Sequence, residues 1–197
     1  MNTVKQNRRH IQFVLQGAVI AVLYVALTEL STLVGMSSGV IQVRISEALC
    51  VLAVFTPAAI PGLTLGCMIS NLLVPGVVWA DIVFGSFATL IGAALAYLFR
   101  RFPFWVAPIP TILANALIVP FVLAYAYGVE DAIWFMMLTV GAGEVIAAGI
   151  LGILLYFAIR RIAPKLFMDL YCGPELKKKD EEPRADSSGD NDPNSAG

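Results

Sequence analysis

The chain has almost none of the residues from which active sites are usually built. Its one histidine, His10, lies in a basic leader, and there is no H-E-x-x-H, C-x-x-C, Walker A loop or G-x-S-x-G. Metal hydrolases, dithiol enzymes, NTPases and serine hydrolases are thereby excluded, so the chain is expected not to be an enzyme and to hold no metal or cofactor. If it moves a solute actively, an ion gradient or another subunit supplies the energy. Charge is scarce as well: 14% of residues are Asp, Glu, Lys or Arg, against ~25% in soluble domains. Hydrophobic residues make up 58% and mean hydropathy is +0.79, the composition of a membrane protein. Three scattered cysteines, Cys50, Cys67 and Cys172, give neither a disulfide framework nor a zinc site and read as small apolar fillers. Residues Gly173 to Gly197 carry seven acidic and four basic groups, which leaves the body at +2 and gives no reason to invoke nucleic acid.

What is present is a series of apolar runs: Ile11 to Gly35, then about Val43 to Phe55, Ala59 to Pro75, Ile82 to Phe99, Val106 to Tyr127 and Ala132 to Ile159. They predict an all-α membrane protein with six transmembrane helices. The first run exceeds the 7 to 15 residues of a signal-peptide core, so it is expected to remain as a span. The second is short, giving ~20 Å of helix against a ~30 Å hydrocarbon core. It is either a short crossing or half of a re-entrant hairpin bent at Pro57 and Pro61, and both leave the later helices with the same parity. Basic clusters stand before the first run (Lys5, Arg8, Arg9), between the fourth and fifth (Arg100, Arg101) and after the sixth (Arg160, Arg161, Lys165). The positive-inside rule makes all three cytoplasmic, and with them both termini. The expected organisation is a cytoplasmic basic leader at 1–10, a membrane domain at 11–165 and a cytoplasmic tail at 166–197, disordered by composition.

Polar residues inside these runs are the candidates for function. Arg44 and Glu47 are separated by three residues, which suits a local ion pair, yet a charge at membrane depth costs roughly 2.5 to 3.5 kcal/mol and usually has a task. Asn71 and Asn115 either bond between helices or meet a ligand. Asp81 is either a solvated cap after Trp79 or part of the site. Glu29, near the outer end of its span, is expected to reach water. Glu144 is hardest to explain structurally, since no basic residue shares its helix at mid-depth. Gly141, Glu144, Ala148 and Gly152 are expected to line one face of that helix. Small residues at Gly17 and Ala21, Gly62 and Gly66, and Ala88, Gly92 and Ala96 permit close helix approach, and a face left over would dock another subunit.

The blocks Val43-Arg-Ile-Ser-Glu-Ala-Leu49, Pro61-Gly-Leu-Thr-Leu-Gly66 with Asn71, Asp81-Ile-Val-Phe-Gly-Ser86 with Ala88-Thr-Leu90, Asn115-Ala-Leu-Ile-Val-Pro120 and Gly141-Ala-Gly-Glu144 together resemble the QueT family. The resemblance runs from about Gly17 to Ile159. It implies a substrate-binding S component of an energy-coupling factor (ECF) transporter, a six-helix bundle that takes up a queuosine precursor. It also implies a transmembrane coupling subunit as partner, with two cytoplasmic ATPases that hydrolyse ATP. The implied ligand is a 7-deazaguanine, queuine or its aminomethyl precursor, whose adjacent donors suit a carboxylate and whose carbonyl suits Arg44 or an Asn amide. Arg44, Glu47, Asn71, Asp81, Asn115 and Glu144 are then the expected substrate-binding set. Tyr24, Trp79 and Phe84 are either stacking partners for the flat base or interface and core aromatics. S components often carry Ala-x-x-x-Ala on the first helix for the coupling subunit; here Gly17 and Ala21 stand nearest to that pattern and are the expected docking pair. The competing readings are a stand-alone gradient-driven carrier or channel for a small solute, with Glu144 as its ion site, and a protein whose polar residues only lock helices together.

Overall fold

A computed structural model describes residues 2–36, 42–74 and 77–162. The expected tail at 166–197 and the end of the third run at Pro75 lie outside them. Among the described residues there are helices and no strands. Helix α1 is Asn2–Leu33, α2 is Ile45–Val54, α3 is Ala59–Leu73, α4 is Trp79–Leu98 and α5 is Ile109–Ala126. Helix α6 runs without a break through Ile133–Glu144, a π-wound stretch Val145–Leu151, and Gly152–Ile162. Four of the six are long and apolar enough to cross a membrane: His10–Leu33, Trp79–Leu98, Phe104–Ala126 and Ile133–Arg161. The chain is therefore a multi-pass membrane protein, with α2 and α3 as shorter apolar helices beside the spans.

Helix α1 buries Ile20, Ala21, Tyr24, Thr28 and Ser31, one stripe at helical spacing, and turns Val14, Val22 and Leu33 outward. It ends at Gly35, whose φ of 78° allows Val34 and Met36 to bond back to Leu30 and Ser31. Helix α3 runs beside it in the same direction. A Cβ on Gly62 would lie 2.6 Å from the Gly17 carbonyl oxygen, and one on Gly66 would lie 3.0 Å from that of Ala21. The Gly17 and Ala21 pair is thus consumed inside the bundle, on Gly62 and Gly66. On that side of α1, backbones this close leave no room for another helix. Gly92 does the same for α4 against Thr111 of α5, where a Cβ would meet the Thr111 Cα at 2.8 Å.

Helix α2 occupies the middle of the bundle. Ser46 to Ala53 are buried without interruption, and the helix packs against α1, α3, α4 and α6. It is wound as a 3₁₀ helix, which rises ~2.0 Å per residue and so gives ten residues a reach of ~20 Å rather than ~15 Å. That reach spans the depth between two contacts with α1: the Ile45 amide donates to Ser31 Oγ at 3.0 Å, and Thr56 Oγ1 donates to Gln16 Oε1 at 3.0 Å. The turn into α3 is therefore level with Gln16, about 10 Å short of His10 by helical rise. The α2–α3 turn therefore lies toward the end of the bundle at which α1 starts. At that end Phe55 packs at a tilt on Tyr156 of α6 (5.1 Å) and Tyr156 stacks on Phe104 (5.9 Å). The start of α1 and the end of α6 lie at this same end.

Candidate binding site between the central helix and α6

Arg44 precedes α2 in extended backbone (φ −99°, ψ 103°), so its side chain leaves sideways toward α3 and α4. Its Nη1 lies 3.5 Å from Asn71 Oδ1 and its Nη2 lies 3.9 Å from Asp81 Oδ2. Asn71 donates its amide to the Asp81 carbonyl at 3.2 Å, and Tyr127 donates its hydroxyl to Asp81 Oδ2 at 3.3 Å. Partial burial pushes the Tyr127 phenol above its ordinary value, so it stays a donor at neutral pH. Arg44, Asn71 and Asp81 thus form one joined unit. The expected local ion pair between Arg44 and Glu47 does not form; Arg44 with Asp81 is the one ion pair among the described residues. The i, i+3 geometry needs both residues on the helix, and Arg44 lies outside it.

Glu47 lies within α2 and is 2% exposed. The Tyr24 hydroxyl donates to its Oε1, and the Cys50 thiol to its Oε2 at 3.2 Å. Cys50 is thus more than a filler. Glu144 ends the α-helical first part of α6, 8% exposed, with the Asn115 amide beside its carboxyl. Its Oε2 has no hydrogen-bond partner among the described residues. Arg44, Glu47, Asn115 and Glu144 line one enclosed space, which Gln42 and Thr89 help to complete. Its free volume is about 20 Å³, enough for one water.

The face around Glu144 differs in one respect from the spacing-based expectation. Ala148 and Gly152 are buried as expected, but Gly141 is half-buried against Ala116, and Gly143 takes its place. A Cβ on Gly143 would collide with the Gln42 carbonyl. Trp79 and Phe84 do not reach the polar centre. They are exposed and line a separate apolar cavity of about 790 Å³ between α4 and α5, with Phe121 and Tyr125. Tyr24 does reach it, through its hydroxyl. Glu29 is half-buried, and its Oε1 is enclosed with no hydrogen-bond partner among the described residues.

All six expected binding residues therefore fall in two adjoining groups, one of Arg44, Asn71 and Asp81 and one of Glu47, Asn115 and Glu144. Sequence reasoning assigns nothing to Gln42, Thr89 or Tyr127. Gln42 carried a signal as a polar residue two positions before Arg44, and Thr89 by standing in the Ala88-Thr-Leu90 block. Tyr127 reaches Asp81 from 46 residues away, a pairing that no local spacing encodes.

A profile of the QueT transporter family matches residues 14–161. Over 92 residues the chain is 42% identical to the queuosine precursor transporter QueT of Lactococcus lactis subsp. cremoris (strain MG1363). That alignment covers 45% of this chain and spans about half, 53%, of the relative. No solved structure matches. The family is one of transporters, which agrees with the lack of catalytic parts, and its profile covers every residue of the polar centre; the chain belongs to the QueT transporter family.

Proposed function

We propose that this chain is the substrate-binding membrane subunit, the S component, of an ATP-driven ECF importer for a queuosine precursor, a 7-deazaguanine base. It lies in the cell membrane with both termini cytoplasmic. A transmembrane coupling subunit and two cytoplasmic ATPases complete the importer, and ATP is hydrolysed there, since this chain carries no cofactor of its own. The 42% identity to a queuosine precursor transporter supports the ligand class.

The observation that carries the reading is the Glu144 carboxyl, buried beside Asn115 with one oxygen unpartnered among the described residues. A guanine-like edge offers two adjacent donors, and an aminomethyl group adds a cation; both are what an open carboxyl at this depth accepts. Arg44 is balanced by Asp81, so Glu47 and Glu144 leave the centre with an excess of acid, which favours the aminomethyl base. A space of about 20 Å³ does not admit a base until the surrounding side chains and the Gln42 backbone move, so binding includes a rearrangement.

Calorimetric titration of the purified chain with 7-aminomethyl-7-deazaguanine tests this. Tight binding without any partner is expected, and Glu144→Gln turns half of the acceptor into a donor facing donors, a loss of about 30-fold or more. Near-normal affinity in a folded Glu144→Gln protein would hand the role to Glu47 or Asp81. A flat response from the unaltered chain would favour a stand-alone carrier.

A further inference from the structure

Two carboxyls share the enclosed space, and their surroundings differ. Glu47 has one protein donor on each oxygen, Tyr24 on Oε1 and Cys50 on Oε2, whereas Glu144 keeps an oxygen with none. The Tyr24 donor is not adventitious. Its side chain is buried at 1% exposure, and it sits where α1 and α3 touch: a Cβ on Gly66 would lie 2.7 Å from the Tyr24 Cβ. One turn further along α1, Thr28 Oγ1 lies 2.9 Å from the Tyr24 carbonyl and 2.8 Å from Ser46 Oγ. The Tyr24–Thr28 turn of α1 therefore holds two consecutive residues of α2, Ser46 and Glu47, through two side-chain contacts.

We propose that Tyr24 is a positioning residue of the binding centre: it fixes the Glu47 carboxyl through its hydroxyl and ties it to the seam where α1 meets α3. This rests on the reading of the centre as a base-binding site. Glu47 accepts from Tyr24 and Cys50 and keeps lone pairs for a ligand, but in one orientation only. Without the hydroxyl the carboxyl is free to turn within the space, and the ligand must restore the order that Tyr24 supplied. The seam matters in the same way, since a methyl added at Gly66 would push the Tyr24 side chain away from α3 and carry its hydroxyl off Glu47.

The test is a double-mutant cycle on the full chain, titrated with 7-aminomethyl-7-deazaguanine, using Tyr24→Phe, Glu47→Gln and the pair. Tyr24→Phe is expected to lower affinity about tenfold while retaining the ring packing, and to lower it by less than about twofold when Glu47→Gln is already present. Equal losses in both backgrounds, or unchanged affinity in Tyr24→Phe, would overturn the proposal; equal losses would mark Tyr24 as packing only. If the unaltered chain fails to bind the base, the functional reading fails, and infrared spectra of the ligand-free protein still judge Tyr24. The carboxyl bands that vanish in Glu47→Gln are expected to shift in Tyr24→Phe, and bands that stay in place would overturn the hold on Glu47.

Discussion

At the residue scale, the polar centre is a matter of which groups are already satisfied. Arg44 spends its guanidinium on Asn71 and Asp81, Glu47 has one donor on each oxygen from Tyr24 and Cys50, and Glu144 keeps an oxygen with no partner among the described residues. Asp81→Asn removes a loose, partly exposed ion pair, which is worth up to ~1 kcal/mol of stability. It also releases Arg44 into the site, so affinity for the base is expected to fall by about fivefold with little change in melting temperature. A larger fall in melting temperature than in affinity would make Asp81 a structural group. Gly143 and Gly141 form a sharper pair. A methyl on Gly143 meets the Gln42 carbonyl, whereas one on Gly141 meets only Ala116 Cβ at 3.6 Å, an ordinary contact. Gly143→Ala should destabilise by about 1 to 3 kcal/mol and impair binding, with Gly141→Ala close to neutral in both. The presence of these residues was legible, because charge and amide groups are rare in so apolar a chain. Their pairing was not, because Arg44 stands in extended backbone where helical spacing does not apply.

At the element scale, the six apolar runs map onto six helices, since length and hydropathy decide existence and type. The winding of α2 and the π stretch in α6 were not legible. Both answer to neighbours: α2 must reach from Ser31 to Gln16 with ten residues, and the Val145–Leu151 stretch packs directly against it. Small-residue pairs were legible as close approaches, but the sequence cannot say whether the partner is the same chain. Here Gly17 and Ala21 meet Gly62 and Gly66. Ala21→Leu therefore introduces three carbons into a seam with no space and should lower both the melting temperature and base affinity of the isolated chain. Intact binding with loss of uptake alone would return the pair to a partner interface. Ala53, fully buried in the last turn of α2, is expected to tolerate Leu no better, as measured by the yield of monodisperse protein.

At the scale of the whole molecule, the contacts fix which ends lie together. Gln16, Thr56, Phe104 and Tyr156 mark one end, and Met36, Arg44, Asp81 and Tyr127 the other; the first described residue of α1 and the last of α6 share the former. With Arg100, Arg101, Arg160 and Arg161 also at that end, the proposed orientation follows the positive-inside rule: this end is expected to be cytoplasmic and the polar centre to lie toward the outside. In a background without its native cysteines, Arg101→Cys should label with an impermeant thiol reagent only from the cytoplasmic side, and Glu130→Cys only from outside. Both positions are exposed. Ala58 is fully buried and Gly128 holds φ 67°, so neither accepts a reporter cysteine. The depth of the α2–α3 turn needs a different probe. Because Thr56 Oγ1 donates to Gln16 Oε1 at 3.0 Å, Gln16→Ala and Thr56→Val should couple by about 1 kcal/mol in a double-mutant cycle on thermal unfolding. If the turn instead lay near the outer end of α1, the two losses would simply add. Coupling together with opposite-side labelling at 101 and 130 would set the α2–α3 turn at the cytoplasmic end and the polar centre toward the outside, where it can capture a solute for import.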